Sequence, residues 1–220
     1  MAILMTGLCE KGVELIWKQC NEELYPQGIE YLEEAAHAGD AEGWFFLGNC
    51  YSWGDGAVGF SDKKAYECYK KGIEGGSVRC VLGAARAGQF DEELKKASPC
   101  TLEESYRAVL QSAEEGDAFS AFQIAAAYEW EAIFDLLQPE EQKRGNCYKW
   151  YEQAAKGGIV SAMVKVGKCC LNGQYVPKNE EMALKWADRC AALGNAWGLY
   201  RMGLHHLNLG NMEAAWEYFE

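Results

Sequence analysis

Small residues recur along the chain at regular intervals and mark the ends of predicted helices. Glycines that close an alanine-containing helix occur every 36 to 42 residues, at Gly39, Gly76, Gly116, Gly158 and Gly194. The residues three and four positions before each of these glycines are mostly small, so that a neighbouring helix can pack closely there. The pattern predicts five copies of one helix, which we call helix B, each ended by a glycine in the left-handed conformation.

A second landmark lies nine residues after four of the five glycines and predicts a partner helix, helix A. A large apolar residue and a small residue stand side by side there, at Leu47–Gly48, Ile124–Ala125, Val166–Gly167 and Met202–Gly203. The short step from each closing glycine to the next helix forces the two helices to lie antiparallel. Turn-rich segments, 54–62 and 172–179, separate helix A from the following helix B, where Asp62 and Asn179 are the expected N-caps.

Helical hairpins repeated in this way predict an all-α, right-handed α/α superhelical solenoid of tandem helix-turn-helix repeats. We expect one domain over residues 1–220, with N-terminal capping helices at 1–40, repeats at 41–76, 77–116, 117–158 and 159–194, and an incomplete fifth repeat at 195–220. The second repeat is divergent, because Gly83 lies two residues early and segment 89–101 carries an insertion. In the third repeat, a longer and more charged connection at 131–146 replaces the turn.

The charge and the cysteine content narrow the classes of partner and compartment. A formal net charge of −12 repels phosphate backbones, so we expect no nucleic acid among the partners. The uncharged stretch 1–9 is too short to span a bilayer and has no basic residue before it, so we expect no membrane association and a cytoplasmic protein. The ten cysteines follow no repeat spacing and form no CxxC pair, which favours small buried residues of a reducing compartment. Disulfides or a metal are the alternative.

The repeated residues resemble the Sel1-like repeat (SLR), a subfamily of the tetratricopeptide-type helical repeats. The pattern is carried in the first full unit by Ala41, Leu47, Gly48, Tyr51, Gly54, Lys64, Ala65, Tyr69 and Gly76, in the third by Trp150, Tyr151, Ala154 and Ala155, and in the fourth by Val166, Gly167, Gly173, Val176, Ala183, Trp186, Ala191 and Gly194. The resemblance implies a scaffold or adaptor, commonly bacterial, that holds other proteins together. Cysteine-rich members linked to antibiotic hydrolysis or penicillin binding carry paired cysteines at one fixed spacing, which this sequence lacks.

Two motifs suggest chemistry but have simpler structural interpretations. Segment 54–59 spells the dinucleotide fingerprint GxGxxG, yet a predicted helix precedes it where the fingerprint requires a strand. His205 and His206, with Cys169 and Cys170 one repeat earlier, have metal-ligand chemistry, but two of them occupy a predicted packing position. No GxSxG, HExxH or phosphate-loop pattern occurs. We therefore predict no catalytic residue, no cofactor and no metal.

The helix A face that points away from the packing positions is the candidate binding surface, because stacked hairpins turn their A helices toward a concave face. The candidate partner-binding residues are Phe46, Asn49, Trp53, Gln123, Trp130, Lys165, Lys168, Asn172, Arg201, His205 and Asn208. This face is aromatic at one end and basic at the other, so we expect a peptide or protein partner with an acidic or C-terminal carboxylate group. The alternative is that these are solvated side chains that balance nearby acids.

The leading hypothesis is a non-catalytic protein-protein interaction scaffold that binds its partner on the concave helix A face. One alternative is a cysteine-rich repeat enzyme or small-molecule binder of the β-lactamase or penicillin-binding type. Another is the N-terminal interaction part of a larger multidomain regulator, since segment 215–219 begins a helix B without its closing glycine.

Overall fold

A computed structural model describes residues 3, 5–19, 21–130 and 140–220 of the chain, the last range with its side chains from residue 146 onward. These residues form thirteen α-helices and no β-strand, which confirms the predicted all-α class. The helices are α1 (Gly7–Val13), α2 (Tyr25–His37), α3 (Ala41–Trp53), α4 (Asp62–Glu74), α5 (Val78–Arg86), α6 (Glu92–Ala97), α7 (Leu102–Glu114), α8 (Ala118–Glu129), α9 (Glu140–Lys156), α10 (Val160–Asn172), α11 (Glu180–Ala192), α12 (Ala196–Asn208) and α13 (Met212–Phe219).

The helices pack in consecutive pairs, which we number as the first to the sixth hairpin. The pairs are α1 with α2, α3 with α4, α5 with α7, α8 with α9, α10 with α11, and α12 with α13. A π-helical turn at Glu14–Lys18 extends α1, and the short helix α6 lies in the predicted insertion and packs against α4. The first member of each pair is the A helix of that hairpin, and along the series α1, α3, α5 and α8 each A helix also contacts the next one.

The closing glycines adopt the backbone conformation predicted for them. Gly39, Gly76, Gly116, Gly158 and Gly194 have φ values between 75° and 105°, a region that only glycine enters without strain. The residue after each glycine donates its N–H across the turn, as from Asp40 to the Ala35 carbonyl at 3.0 Å. The Asp40 carboxylate then caps α3 by accepting the N–H of Glu42 at 3.0 Å. A glycine and one polar residue therefore suffice to end one helix and begin the next.

The two expected N-caps of the outer helices have different outcomes. Asn179 caps α11, since its Oδ1 accepts the N–H of Met182 at 2.9 Å, as predicted. The expectation for Asp62 is wrong, because the cap of α4 is Ser61, whose Oγ accepts the N–H of Lys64 at 3.4 Å. Asp62 is the first residue of the helix, where its negative charge favours the positive end of the helix dipole.

The first hairpin reaches across the inner side of the solenoid. Trp17, in the π-helical turn, is 2% exposed and lies 5.4 Å from the ring of Phe46 in α3 and 5.2 Å from the ring of Phe119 in α8. Its indole N–H also donates to Asp55 Oδ2 at 3.1 Å. The inner side is therefore packed, rather than open, between the first and fourth hairpins.

Two further points concern the predicted connection of the third repeat and the question of a membrane-spanning helix. Residues 131–139 of the predicted connection 131–146 lie outside the described residues. Within the described ranges, no helix combines the length and the apolar character needed to cross a bilayer.

Candidate functional site

Three of the predicted partner-binding residues are buried, so this part of the prediction is corrected. Phe46, Asn49 and Gln123 are 0%, 3% and 4% exposed. Phe46 lies under Trp17, and Gln123 Nε2 donates to the Arg79 carbonyl at 3.0 Å. The physical reason is the close approach of the A helices in the first four hairpins, which turns the expected concave stripe into core there.

The other predicted residues reach the surface to different extents. Trp53, Lys165, Arg201 and His205 are half-buried, whereas Trp130, Lys168, Asn172 and Asn208 are exposed. Trp130 is 65% exposed, which is unusual for so large an apolar side chain. The accessible candidates thus begin at the ends of α3 and α8 and continue along α10 and α12.

A continuous row of side chains, which we call the inner strip, joins Trp53 to Lys165. Its five members are Trp53, Phe122, Tyr151, Glu129 and Lys165. The Trp53 ring lies 5.2 Å from Phe122, and Phe122 lies 5.8 Å from Tyr151. The Tyr151 hydroxyl donates to Glu129 Oε2 at 2.6 Å, and Lys165 Nζ donates to the two Glu129 oxygens at 2.8 and 2.9 Å. The inner strip therefore crosses from the second hairpin through the fourth to the fifth.

The electrostatics of the inner strip differ from the sequence-based expectation. Lys165 is paired with Glu129, so its positive charge is already balanced. Burial, with Glu129 beside the hydroxyl, raises the pKa of Tyr151 well above its ordinary value, so the phenol remains a protonated donor. Lys168 is exposed and takes part in none of the ion pairs among the described residues. Lys168 is thus the more available of the two lysines.

The tyrosines of the site come from one repeated position of helix B, which the sequence analysis used for the family resemblance but not for the binding surface. Seven residues before the closing glycines stand Leu32, Tyr69, Val109, Tyr151 and Ala187, all of them buried. A side chain at this position passes beneath the A helix of its own hairpin, as Tyr69 does beneath Gly48. The second and fourth hairpins carry a hydroxyl there, which explains why polar anchors occur beside Asn49 and Glu129.

Arg86 is the site residue that sequence reasoning missed. It ends α5, and its guanidinium lies 4.4 Å from the centre of the Trp53 ring. Its Nη2 lies 3.3 Å from each of three neutral oxygens, those of the Asn49, Ser52 and Tyr69 side chains. A signal did exist in the sequence, because Arg86 follows the early Gly83 by three residues, as Tyr51 follows Gly48.

A second arginine, Arg79, has a structural role at the opposite end of the A helices. It is 1% exposed, and its Nη2 donates to Asp117 Oδ1 at 2.5 Å and to Ser120 Oγ at 2.7 Å. Its Nη1 lies 3.6 Å from Glu42 Oε2. Burial raises the pKa of Glu42, although the nearby Arg79 charge opposes this shift. Arg79 and Glu42 are buried, Asp117 is partly exposed, and the cluster ties α3, α5 and α8 together.

The other chemical candidates are part of the packing. The nine described cysteines are free thiols, and all but Cys100 are buried. Burial raises the pKa of Cys169 to about 11 and that of Cys147 to about 12, which leaves little reactive thiolate. His206 stacks on Tyr218 at 5.5 Å. Across the parts of the chain with placed side chains, His, Cys, Asp and Glu nowhere gather in threes as a metal would need.

The glycine-rich segment 54–59 forms a turn. Helix α3 precedes it, Asp55–Ala57 forms a 3₁₀ turn, and Gly54, Gly56 and Gly59 all have positive φ. A strand would have to enter this segment in a dinucleotide site, so the glycines are explained by the turn itself.

Comparison with known proteins identifies similar repeats. The sequence model of the Sel1 repeat matches residues 23–40, 42–77, 139–159 and 160–195, together half of the chain. The crystal structure of a Sel1 repeat protein from Oxalobacter formigenes is similar with a TM-score of 0.50 and 18% identity, over 91% of this chain and 84% of that chain. A protective antigen present in uropathogenic Escherichia coli strains, which displays an SLR fold, gives a TM-score of 0.34 and 21% identity, over 91% of this chain and 52% of that chain. None of the curated proteins matches the sequence significantly.

Proposed function

This chain belongs to the Sel1 repeat family, whose members are generally non-catalytic protein-interaction scaffolds, and we propose that it binds a peptide or partner protein along the accessible part of its A helices. The contact residues are Trp53, Trp130, Lys165, Lys168, Asn172, Arg201, His205 and Asn208. The observation that carries the proposal is the row of aromatic and basic side chains that stays accessible along α8, α10 and α12 in a molecule of net charge −12.

The aromatic residues supply the affinity in this proposal. An exposed indole such as Trp130 gains most by burial against a partner, because aromatic anchors contribute much of the binding energy of protein interfaces. Trp53 is already held by Phe122 and Arg86, so it loses little conformational entropy when a partner covers it.

The basic residues select an acidic partner. The molecule as a whole repels acidic ligands, but the exposed Lys168 and the half-exposed Arg201 provide local positive charge that attracts a carboxylate group of the partner. We propose the cytoplasm as the compartment. The ten cysteines do not follow the repeat spacing, which favours free thiols in a reducing environment over a disulfide framework.

The test is a selection of random displayed peptides on the intact immobilised protein, followed by calorimetric titration of the selected peptides. Trp130→Ala and Lys168→Glu should each weaken binding by about tenfold or more, because they remove an anchor and reverse a contacting charge. The matched controls are Trp216→Ala, at an indole that is 62% exposed on α13, and Lys96→Glu, at an exposed lysine of α6. No selected peptide, or equal affinity for all four variants, would remove the proposal.

Lys165 is not a suitable position for charge reversal. A glutamate there would lie beside Glu129, which now accepts two hydrogen bonds from Lys165, so the fold and the binding would change together. Lys168 has no such partner among the described residues and isolates the effect on binding.

A further inference from the structure

We propose that Arg86 forms a subsite for one carboxylate group, from an acidic side chain or a chain terminus, at the aromatic end of the inner strip. The subsite rests on the proposed function in one respect, namely that the carboxylate belongs to the partner bound along the same helices. Its basis is a half-buried guanidinium that is fixed in place and hydrogen-bonded to three neutral side chains.

No carboxylate of the described residues forms an ion pair with Arg86. All three oxygens around Nη2 belong to neutral side chains, and each lies at 3.3 Å. Asp55 is near enough for Arg86 to lower its pKa, but burial dominates and raises that pKa, and the carboxylate accepts its hydrogen bond from Trp17. The guanidinium therefore lacks a contacting counterion among the described residues.

The remaining donors of Arg86 are not fully enclosed by the protein. Nε and Nη1 have no hydrogen-bond partner among the described residues, yet neither is among the buried polar atoms that lack one. Both nitrogens therefore reach solvent, where a carboxylate can accept from them. Arg79 shows the contrast, because its guanidinium is fully buried and contacts Glu42 and Asp117.

The Arg86 guanidinium is also ordered before a ligand binds. It stacks on Trp53, whose other contact with Phe122 fixes the ring. An arginine that is already ordered loses little side-chain entropy on binding, and its N–H groups form short, charge-assisted hydrogen bonds with a carboxylate. The accessible part of Trp53 provides an apolar wall for the atoms next to that carboxylate.

A single carboxylate fits this charge better than a polyanion does. One guanidinium balances one negative charge, and the acidic molecule around it repels ligands that carry several. The subsite therefore favours an acidic peptide group over a nucleic acid or a polyphosphate.

The direct test is a titration of the intact ¹⁵N-labelled protein with N-acetylglycine, at constant ionic strength because salt screens such contacts. The probe is the Nε–H signal of Arg86, assigned by its loss in Arg86→Lys. It should shift saturably with a dissociation constant of roughly tens of millimolar, as expected for one or two charge-assisted hydrogen bonds. N-acetylglycinamide, which has the same shape without the charge, should leave the Arg86 signal unchanged. Neither ligand should shift the signal of Arg107, which is paired with Glu103.

The absence of a saturable shift, or equal shifts with both ligands, would overturn the subsite. A second measurement uses the selected peptides, whose acidic groups are replaced one at a time by amides. One replacement should cost about tenfold in affinity for the wild type and less than about twofold for Arg86→Gln. If Arg86→Gln does not fold, the titration of the wild type still decides.

The two proposals fail in different ways. Peptide binding along α8 and α10 without coupling to Arg86 supports the scaffold and overturns the subsite. A carboxylate-specific shift at Arg86 without any peptide binding supports the subsite and removes the scaffold function.

Discussion

Three glycines of the A helices each face a large aromatic side chain. A Cβ atom at Gly48 would meet Tyr69, one at Gly203 would meet Phe219, and one at Gly167 would meet Trp197. Tyr69 and Phe219 come from helix B of the same hairpin, but Trp197 comes from the next A helix, α12. Ala187 stands in the fifth hairpin where the second has Tyr69, so the missing aromatic volume is supplied by a different helix.

Substitution of Gly167 by valine should destabilise the protein by roughly 1–3 kcal/mol, because the added methyl groups collide with the Trp197 ring where α10 and α12 pack together. Equilibrium unfolding in urea measures the change. Gly7→Val is the matched control, since Gly7 is also helical and has nothing within 4 Å of an added Cβ. Equal stability of the two variants would show that α10 and α12 do not pack at Gly167.

Three inner helices depend on one buried cation. Arg79 of α5 contacts Glu42 of α3 and both Asp117, the N-cap of α8, and Ser120. Removing one partner of a buried ion pair leaves the other charge without compensation in a region of low dielectric constant. The N-terminal ends of the A helices are therefore linked by charge as well as by apolar contacts.

Arg79→Met should lower the free energy of unfolding at neutral pH by about 3–5 kcal/mol, because Glu42 remains buried without its cation. The exposed pair of Arg107 with Glu103 is the control, and Arg107→Met should change stability little.

The loss of stability in Arg79→Met should also depend on pH. The folded pKa of Glu42 is raised above 4.5, and without Arg79 it rises further. The stability linked to protonated Glu42 is complete below the unfolded pKa of 4.5 and is lost as pH rises through the folded pKa.

Urea unfolding between pH 7 and pH 4.5 should therefore show the deficit of Arg79→Met shrinking as the pH falls. A deficit that stays constant over this interval would contradict the role of Glu42. It would assign the loss to the packing of Arg79 against Phe45 and Phe46, whose rings each lie 5.8 Å away.

The helices could be predicted from the sequence because their determinants are local. A closing glycine, the residue after it and a small residue nine positions later specify a hairpin within one stretch of chain, as Gly39, Asp40 and Gly48 show. The repeat spacing changes at Gly83, and Arg86 was not assigned to the site for that reason. Local signals therefore predict the elements and miss a site residue that lies at a shifted position.

The whole molecule differs from an open array, in which each repeat contacts only its neighbours. Trp17 of the first hairpin contacts Phe46 of the second and Phe119 of the fourth. This long-range contact explains why the accessible face could not be predicted. The exposure of Phe46 and Gln123 depends on how strongly the stack curves, and no local pattern encodes that curvature.

Trp17→Ala should destabilise the protein by about 3–5 kcal/mol, because it empties a large buried volume and leaves Asp55 without its donor. Hydrogen exchange should quicken in α8 as well as in α3, since both helices pack against the indole. Trp216→Ala, at the exposed indole of α13, should leave exchange in both helices unchanged. Faster exchange confined to α1–α4 would mean that the first and fourth hairpins are not coupled.

The contact of Trp17 with Phe119 also limits how this protein can evolve. Repeat arrays usually gain and lose internal units by recombination, because a new unit only has to fit its two neighbours. A unit inserted or deleted between residues 41 and 117 would move Phe119 by a whole repeat and separate it from Trp17. Selection should therefore hold the number of units constant in this part of the chain, whereas a duplication after residue 194 would leave the ring pair intact.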